Sequence, residues 1–244
     1  MSMNFAHRGF SAAFPENTML AYTEAVKAGC HGIEMDVRLS LDGEVVISHD
    51  GSMDRMAGRP GHVRDFTLAE LKAFDFSGSH PEAGFTPIAT LREYFTFIRT
   101  TDVVTNIEIK SDVANFGALE DACIAMIREF HLEERIIFSS FNHYSMVYCK
   151  REAPEIRTGL LYGKEYSAEF ANLSPAAYAR LCLADYLHPH YDGMSPSDVL
   201  TAQCEGIGVN VWTVNDEALM KAYIAVGTHG IITNHPDVLH SLLK

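Results

Sequence analysis

NFAHRGFSAAFPENTMLAYTEAVKAGCHGIEMDVRL, residues 4–39, reads as one strand–helix–strand unit. A short apolar run (4–9) ends in His7-Arg8-Gly9. Asn17 then offers an N-cap to the helical stretch TMLAYTEAVKA, and Gly29 stops that helix. The second strand, HGIEMDVRL (31–39), follows at once. Strand, helix and strand in close succession imply a parallel pair.

The same alternation continues along the chain. Further strands are expected at 104–110, 135–140, 156–162, 184–191, 208–214 and 230–234, with helices between them. Thr67-Leu-Ala-Glu70 and Thr90-Leu-Arg-Glu93 are capping boxes. Ser174-Pro175 opens another helix, and Asn215 caps the one that Gly227 stops. Eight such units in 244 residues predict an α/β fold, a closed (β/α)8 TIM barrel forming a single domain over 1–244. An open doubly wound sheet fits less well, because there is no GxGxxG or Walker-type phosphate loop.

LSLDGEVVISHD (39–50) interrupts the pattern, with no room for a helix. Asp42-Gly43 between two β-rich runs signals a two-residue hairpin, so 44–50 is expected to fold back antiparallel on the second strand. A two-residue loop places Leu41 opposite Glu44 and, counting back, Asp36 opposite His49, on one face. Residues 51–88 then form an insertion, expected as a cap over the barrel mouth.

Composition narrows the function classes. The chain is 47% hydrophobic and 21% charged, enough for one sizeable core. Its formal charge of −13 argues against nucleic acid or an anionic membrane surface as partner. No apolar run is long enough to span a bilayer, and Met1–Asn4 lacks the charged start of a signal peptide, so a cytoplasmic location is expected. The cysteines Cys30, Cys123, Cys149, Cys182 and Cys204 are scattered, form no CxxC pair and read as buried free thiols. An acidic protein that handles an anion must concentrate positive charge locally.

In a barrel the C-terminal strand ends build the site. Those ends carry His7 and Arg8, then Glu34 and Asp36, then Glu108 and Lys110, with His49 from the hairpin and Trp212 from the seventh strand. Glu34/Asp36 and Glu108/Lys110 are spaced by two, so each pair faces one side of its strand. Three carboxylates converging in one mouth call for a cation, and an oxygen-seeking divalent ion, Mg2+ or Ca2+, suits them. His7 and His49 suit a general acid/base pair, since histidine titrates near neutrality. Arg8 and Lys110 supply a clamp for a phosphate or carboxylate. These parts describe metal-assisted acid/base chemistry on a small anion, with phosphoryl transfer the leading class.

With those residues in place, AHRG…PENT, GIEMDV…DG…VVISHD, NIEIK, FSSF, LHP, VNVWTVN and GIITNHP occur in an order that resembles the glycerophosphodiester phosphodiesterases, from Ala6 to about Asp237. The resemblance implies a barrel of the phospholipase-C-like type. It implies hydrolysis of deacylated phospholipids such as glycerophosphocholine or glycerophosphoethanolamine to sn-glycerol 3-phosphate and an alcohol, in lipid and glycerol metabolism. It implies Glu34, Asp36 and Glu108 as metal ligands, His7 and His49 as the acid/base pair, and Arg8 and Lys110 on the phosphate. Glu16 is implied as a supporting residue, and 51–88 as the family's insertion. The implied course is attack of the glycerol 2-hydroxyl on phosphorus, followed by opening of the cyclic phosphate by water.

Two positions depart from the family pattern: His229 and Asn234 stand where aspartates are common. Asn234 is expected near the mouth, bonded to Arg8 or substrate, and His229 far from the chemistry. Two other readings compete. His188-Pro-His190 resembles the HxH of zinc amidohydrolases, and a barrel that binds without catalysis is the other. Trp212, Phe141 and Tyr191 are candidates for an apolar or cation–π wall toward a choline-type group. A homodimer is left open.

Overall fold

The structure, a computed structural model, describes residues 2–111, 115–163 and 173–244. The chain runs β1 (Met3–His7), α1 (Met19–Lys27), β2 (Gly32–Leu39), β3 (Val45–Ile47), α2 (Asp54–Ala57), α3 (Leu68–Lys72), α4 (Leu91–Ile98) and β4 (Val104–Ile109). It continues with α5 (Ala118–Phe130), β5 (Ile136–Ser140), α6 (His143–Glu152), β6 (Arg157–Tyr162), α7 (Pro175–Leu181), β7 (Tyr186–Pro189) and α8 (Pro196–Cys204). The last elements are β8 (Gly208–Val211), α9 (Glu217–Ala225), β9 (Gly230–Thr233) and α10 (Pro236–Leu242).

Eight strands pair in parallel in the order β1-β9-β8-β7-β6-β5-β4-β2, and β1 pairs with β2 to close the ring. The expected barrel is therefore present, with β3 added antiparallel outside it on β2. Each strand is buried on two sides. Ile33, Met35, Val37, Ile107, Phe138, Leu160 and Val209 join the main core beneath the helices. Phe5, Ile137, Tyr186 and Ile232 form a separate cluster inside the ring. Because directly paired parallel residues share a face, this inner face rises from Phe5 to His7 on β1 and from Gly32 to Glu34 and Asp36 on β2. The barrel interior thus turns from apolar to charged toward the strand C-termini.

Bulky inward rings need gaps opposite them. A Cβ on Gly159 would lie 2.4 Å from His188 Nε2, and that nitrogen accepts from Asn210 Nδ2 at 3.0 Å, so the ring has no free retreat. Gly159→Ala is expected to destabilise the fold by about 1–3 kcal/mol through overpacking. Urea unfolding checks this, and an unchanged midpoint would show that the ring moves aside without cost.

Three local expectations are corrected. The hairpin register differs by one residue: Val37 pairs with Ile47 and Leu39 with Val45. Ser40 and Glu44 close a three-residue loop, with Gly43 in the left-handed region at φ 81°. A three-residue loop with glycine at its left-handed position is the common alternative to the two-residue turn. Ser48, rather than His49, therefore stands against Asp36, and its N–H donates to the Asp36 carbonyl. The N-cap of α1 is Thr18, not Asn17, because the Asn17 side chain is engaged elsewhere. Likewise Asp216 caps α9, while Asn215 Oδ1 accepts from Asn234 N. The capping boxes of α3 and α4 and the Ser174 cap of α7 form as expected.

Residues 51–88 do build a small apolar cluster. Met53, Val63, Leu71, Phe76 and Ile88 pack with Val46 of β3, while Val45 and Ile47 on its other face join the main core. Four cysteines are buried free thiols, but Cys204 is exposed. Among the described residues no helix is long and apolar enough to cross a membrane.

Candidate active site

β1 stops at His7 because Arg8 takes a left-handed backbone (φ 57°), which turns the chain sharply at the barrel mouth. The turn is held from β2: Arg8 N–H donates to the Glu34 carbonyl at 2.9 Å and is 3.1 Å from Glu34 Oε2. The register sets His7 beside Glu34, and Asp36 beside Glu108, all on the inner face. Glu34, Asp36 and Glu108 are buried, and one oxygen of each lies within 4.8 Å of the others.

Two cations face this group. Lys110 Nζ is 3.0 Å from Asp36 Oδ1 and 2.5 Å from Glu108 Oε1. Arg8 Nε is 3.5 Å from Asp36 Oδ2. Asn17 Nδ2 donates to Asp36 Oδ2 at 2.8 Å and accepts from the buried Tyr22 hydroxyl through Oδ1 at 3.0 Å. Burial opposes ionisation of Asp36, but Lys110 and Arg8 outweigh it and hold this carboxyl far below the usual range. Glu34 and Glu108 go the other way. Burial, then the neighbouring carboxylates, push Glu34 well up and Glu108 to about 7. Three buried acids thus face two cations, Arg8 and Lys110, which leaves the group short of positive charge. A buried all-oxygen set with this deficit fits a hard divalent cation.

Both histidines line the cavity, and each has its Nδ1 engaged by a neighbouring side chain. His7 Nδ1–H donates to Asn234 Oδ1 at 2.6 Å, which leaves Nε2 free, 3.9 Å from Glu34 Oε2. Burial, then Arg8, pushes the His7 imidazole down to about 4, while Asn234 and the nearby acids oppose the shift. His49 Nδ1–H donates to Asp50 Oδ1 at 2.7 Å, and Arg38 fixes the His49 carbonyl with a bond of 2.7 Å. Burial lowers His49 as well, against the pull of Asp36. The cavity of about 160 Å³ is lined on its polar side by His7, Arg8, Glu34, His49, Asn106 and Glu108. Phe141, Leu161, Trp212 and Ile232 form its apolar side. A larger depression of about 460 Å³ around Cys30 and Val103 contains none of these residues.

The sequence profile of the glycerophosphoryl diester phosphodiesterase family matches residues 7–238. The chain belongs to the glycerophosphoryl diester phosphodiesterase family. It is 39% identical over 241 residues to a glycerophosphodiester phosphodiesterase of Caldanaerobacter subterraneus, covering 98% of this chain and 96% of that one. It is 32% identical to one from Bacillus altitudinis, covering 97% and 96% of the two chains. Among solved structures, an Oleispira antarctica phosphodiesterase holding the product sn-glycerol-3-phosphate superposes with a TM-score of 0.88 at 28% identity, covering 98% of this chain and 95% of that one. Family membership makes this protein a phosphoric diester hydrolase.

Against that family pattern, the residues expected at the mouth come together. Arg8 Nη1 reaches Glu16 Oε1 at 2.9 Å. Trp212 is pinned by its Nε1–H donating to the His188 carbonyl at 2.7 Å, and its ring meets Phe141 edge-on at 5.6 Å. Tyr191 instead stacks on His190, with ring centroids 4.3 Å apart. Asn234 bonds His7 rather than Arg8, and His229 bonds Asn210 at 2.8 Å, away from the mouth. The HxH reading finds no support: His188 is fully buried in the barrel core and bonded to Asn210, and among the described residues the group of three or more potential metal ligands is Glu34, Asp36 and Glu108, without either histidine.

Four residues escaped the sequence reading as site residues: Asn17, Asp50, Asn106 and Arg55, whose guanidinium bonds Asp50 and Glu16. Asp50 had a signal, an acid directly after a candidate acid/base histidine. Asn17 was assigned a cap. Arg55 lies in the insertion, where no periodicity says which way a side chain points.

Proposed function

We propose that this protein is a metal-dependent phosphodiesterase of the cytoplasm that hydrolyses glycerophosphodiesters, such as glycerophosphocholine and glycerophosphoethanolamine, to sn-glycerol 3-phosphate and an alcohol in lipid metabolism. The observation that carries the reading is the buried Glu34–Asp36–Glu108 cluster, flanked by Arg8 and Lys110, with two imidazoles in the same small cavity. Glu34, Asp36 and Glu108 would hold Mg2+ or Ca2+, which when bound draws charge from the phosphate and makes a hydroxyl beside it more acidic. Arg8 and Lys110, already side by side on Asp36, orient the phosphate oxygens. One imidazole Nε2 takes the proton of the glycerol 2-hydroxyl as that oxygen attacks phosphorus. The other gives a proton to the leaving alcohol oxygen. Water then opens the cyclic phosphate with the two roles reversed. The Phe141–Trp212 wall offers an aromatic face to the head group.

The test is release of glycerol 3-phosphate from both diesters with Mg2+ or Ca2+, repeated with chelator. Product that disappears on chelation is expected. No product from either diester with either ion would overturn the reading and favour a binding barrel.

A further inference from the structure

We propose that Arg55, carried to the mouth by the 51–88 insertion, is a positioning residue: its guanidinium locks together the two carboxylates that orient Arg8 and His49. The inference rests on the function proposed above.

The geometry is a fork that uses both ends of one guanidinium. Arg55 Nε donates to Asp50 Oδ2 at 2.6 Å. Nη1 and Nη2 donate to the two oxygens of Glu16, at 2.9 and 2.7 Å. Each carboxylate has a second task. Asp50 Oδ1 accepts from His49 Nδ1–H, and Glu16 Oε1 accepts from Arg8 Nη1. Arg55 thus stands one carboxylate away from an imidazole and from a phosphate-facing guanidinium at once. Thirty-nine residues separate it from Glu16, so the contact exists only when the insertion is docked.

The charges also require it. Glu16 and Asp50 flank a mouth that already holds three buried acids. Arg8 alone cannot neutralise Glu16, because it also faces Asp36. The hydrogen bonds of Arg55 are the largest influence on Glu16 apart from burial, which they oppose. Exposed ion pairs ordinarily contribute little, and Arg55 is half exposed. A bidentate, three-bond fork is the exception, since its planar geometry dictates where both acceptors point. Lysine, a single point charge, reaches one carboxylate or the other but cannot fix the orientation of both.

The partners that orient metal ligands contribute about 10–100-fold when removed, and the same scale is taken for a group that orients an acid/base histidine and a phosphate-facing arginine. Arg55→Ala is therefore expected to lower kcat/KM by about that factor with little change in Tm, and Arg55→Lys to recover only a minor part. Added guanidinium, but not sodium, is expected to restore part of the Arg55→Ala activity. A readout independent of turnover is the 15N spectrum of the histidine rings. Arg55→Ala is expected to shift the His49 ring signals and leave those of His188 and His229 in place. Wild-type turnover separates the two readings: if the wild type cleaves no glycerophosphodiester, the function fails and the ring signals alone decide the role of Arg55. Wild-type kcat/KM with unchanged His49 signals in Arg55→Ala would overturn the proposal. So would a loss that guanidinium does not restore and that parallels a large fall in Tm.

Discussion

His7→Ala and His49→Ala are each expected to lower kcat by ~10²–10⁴-fold, the range of a positioned general acid or base. The structure ties that size to one nitrogen in each ring. Asn234 occupies His7 Nδ1 and Asp50 occupies His49 Nδ1, so Nε2 is the ring nitrogen each has left for proton transfer. Neither imidazole belongs to the carboxylate group, so metal affinity is expected to stay near wild type. His7→Gln and His49→Gln, which keep polarity but cannot shuttle a proton at neutral pH, are expected to be as inactive. Steady-state turnover with a separate metal titration checks the pair. A loss under tenfold at both positions would remove acid/base catalysis by these imidazoles.

Most of the fold was legible because each barrel strand advertises itself twice, by an apolar run and by the helix signals that follow. The Thr67–Glu70 and Thr90–Glu93 boxes and the Ser174 cap are local chemistry, and local chemistry survives folding unchanged. Asn17 failed for the opposite reason. Its cap signal was genuine, but Thr18 competed for the position and a buried Asp36 nineteen residues away claimed the amide. The hairpin failed by one residue because Asp42-Gly43 also fits a three-residue loop with glycine at the left-handed position, and only the pairing distinguishes it from the two-residue turn. His49 reaches the cavity nonetheless, since β3 ends at Ile47 and the chain bends behind it. The inner face of β2 and β4 was readable from spacing alone, which is why the carboxylates came together as expected. Arg55 was not readable, because its position depends on how an irregular segment docks.

Glu34→Gln is expected to shift the metal midpoint for turnover by at least ~100-fold, more than the 10–100-fold typical of groups that merely support a ligand. Excess metal is expected to restore part of the activity, since Asp36 and Glu108 remain. Stability gives a second signature. Without metal, burial and the neighbouring acids push the Glu34 carboxyl well up. A carboxyl raised in the folded state costs stability once pH exceeds its unfolded value of 4.5, because ionisation is then easier in the unfolded chain. Glutamine removes that cost, so the metal-free variant is expected to melt at or above the wild-type temperature at neutral pH. Saturating metal works in reverse. A ligand at 100 times its Kd stabilises by about 2.7 kcal/mol, and the wild type is expected to gain that increment while the variant loses most of it at the same concentration. A purely structural glutamate would do neither: its loss would lower the metal-free melting temperature and leave the metal-induced gain intact. Calorimetric melting with and without Mg2+ or Ca2+ separates the two, and an unchanged metal midpoint in Glu34→Gln would show that this carboxylate is not a ligand.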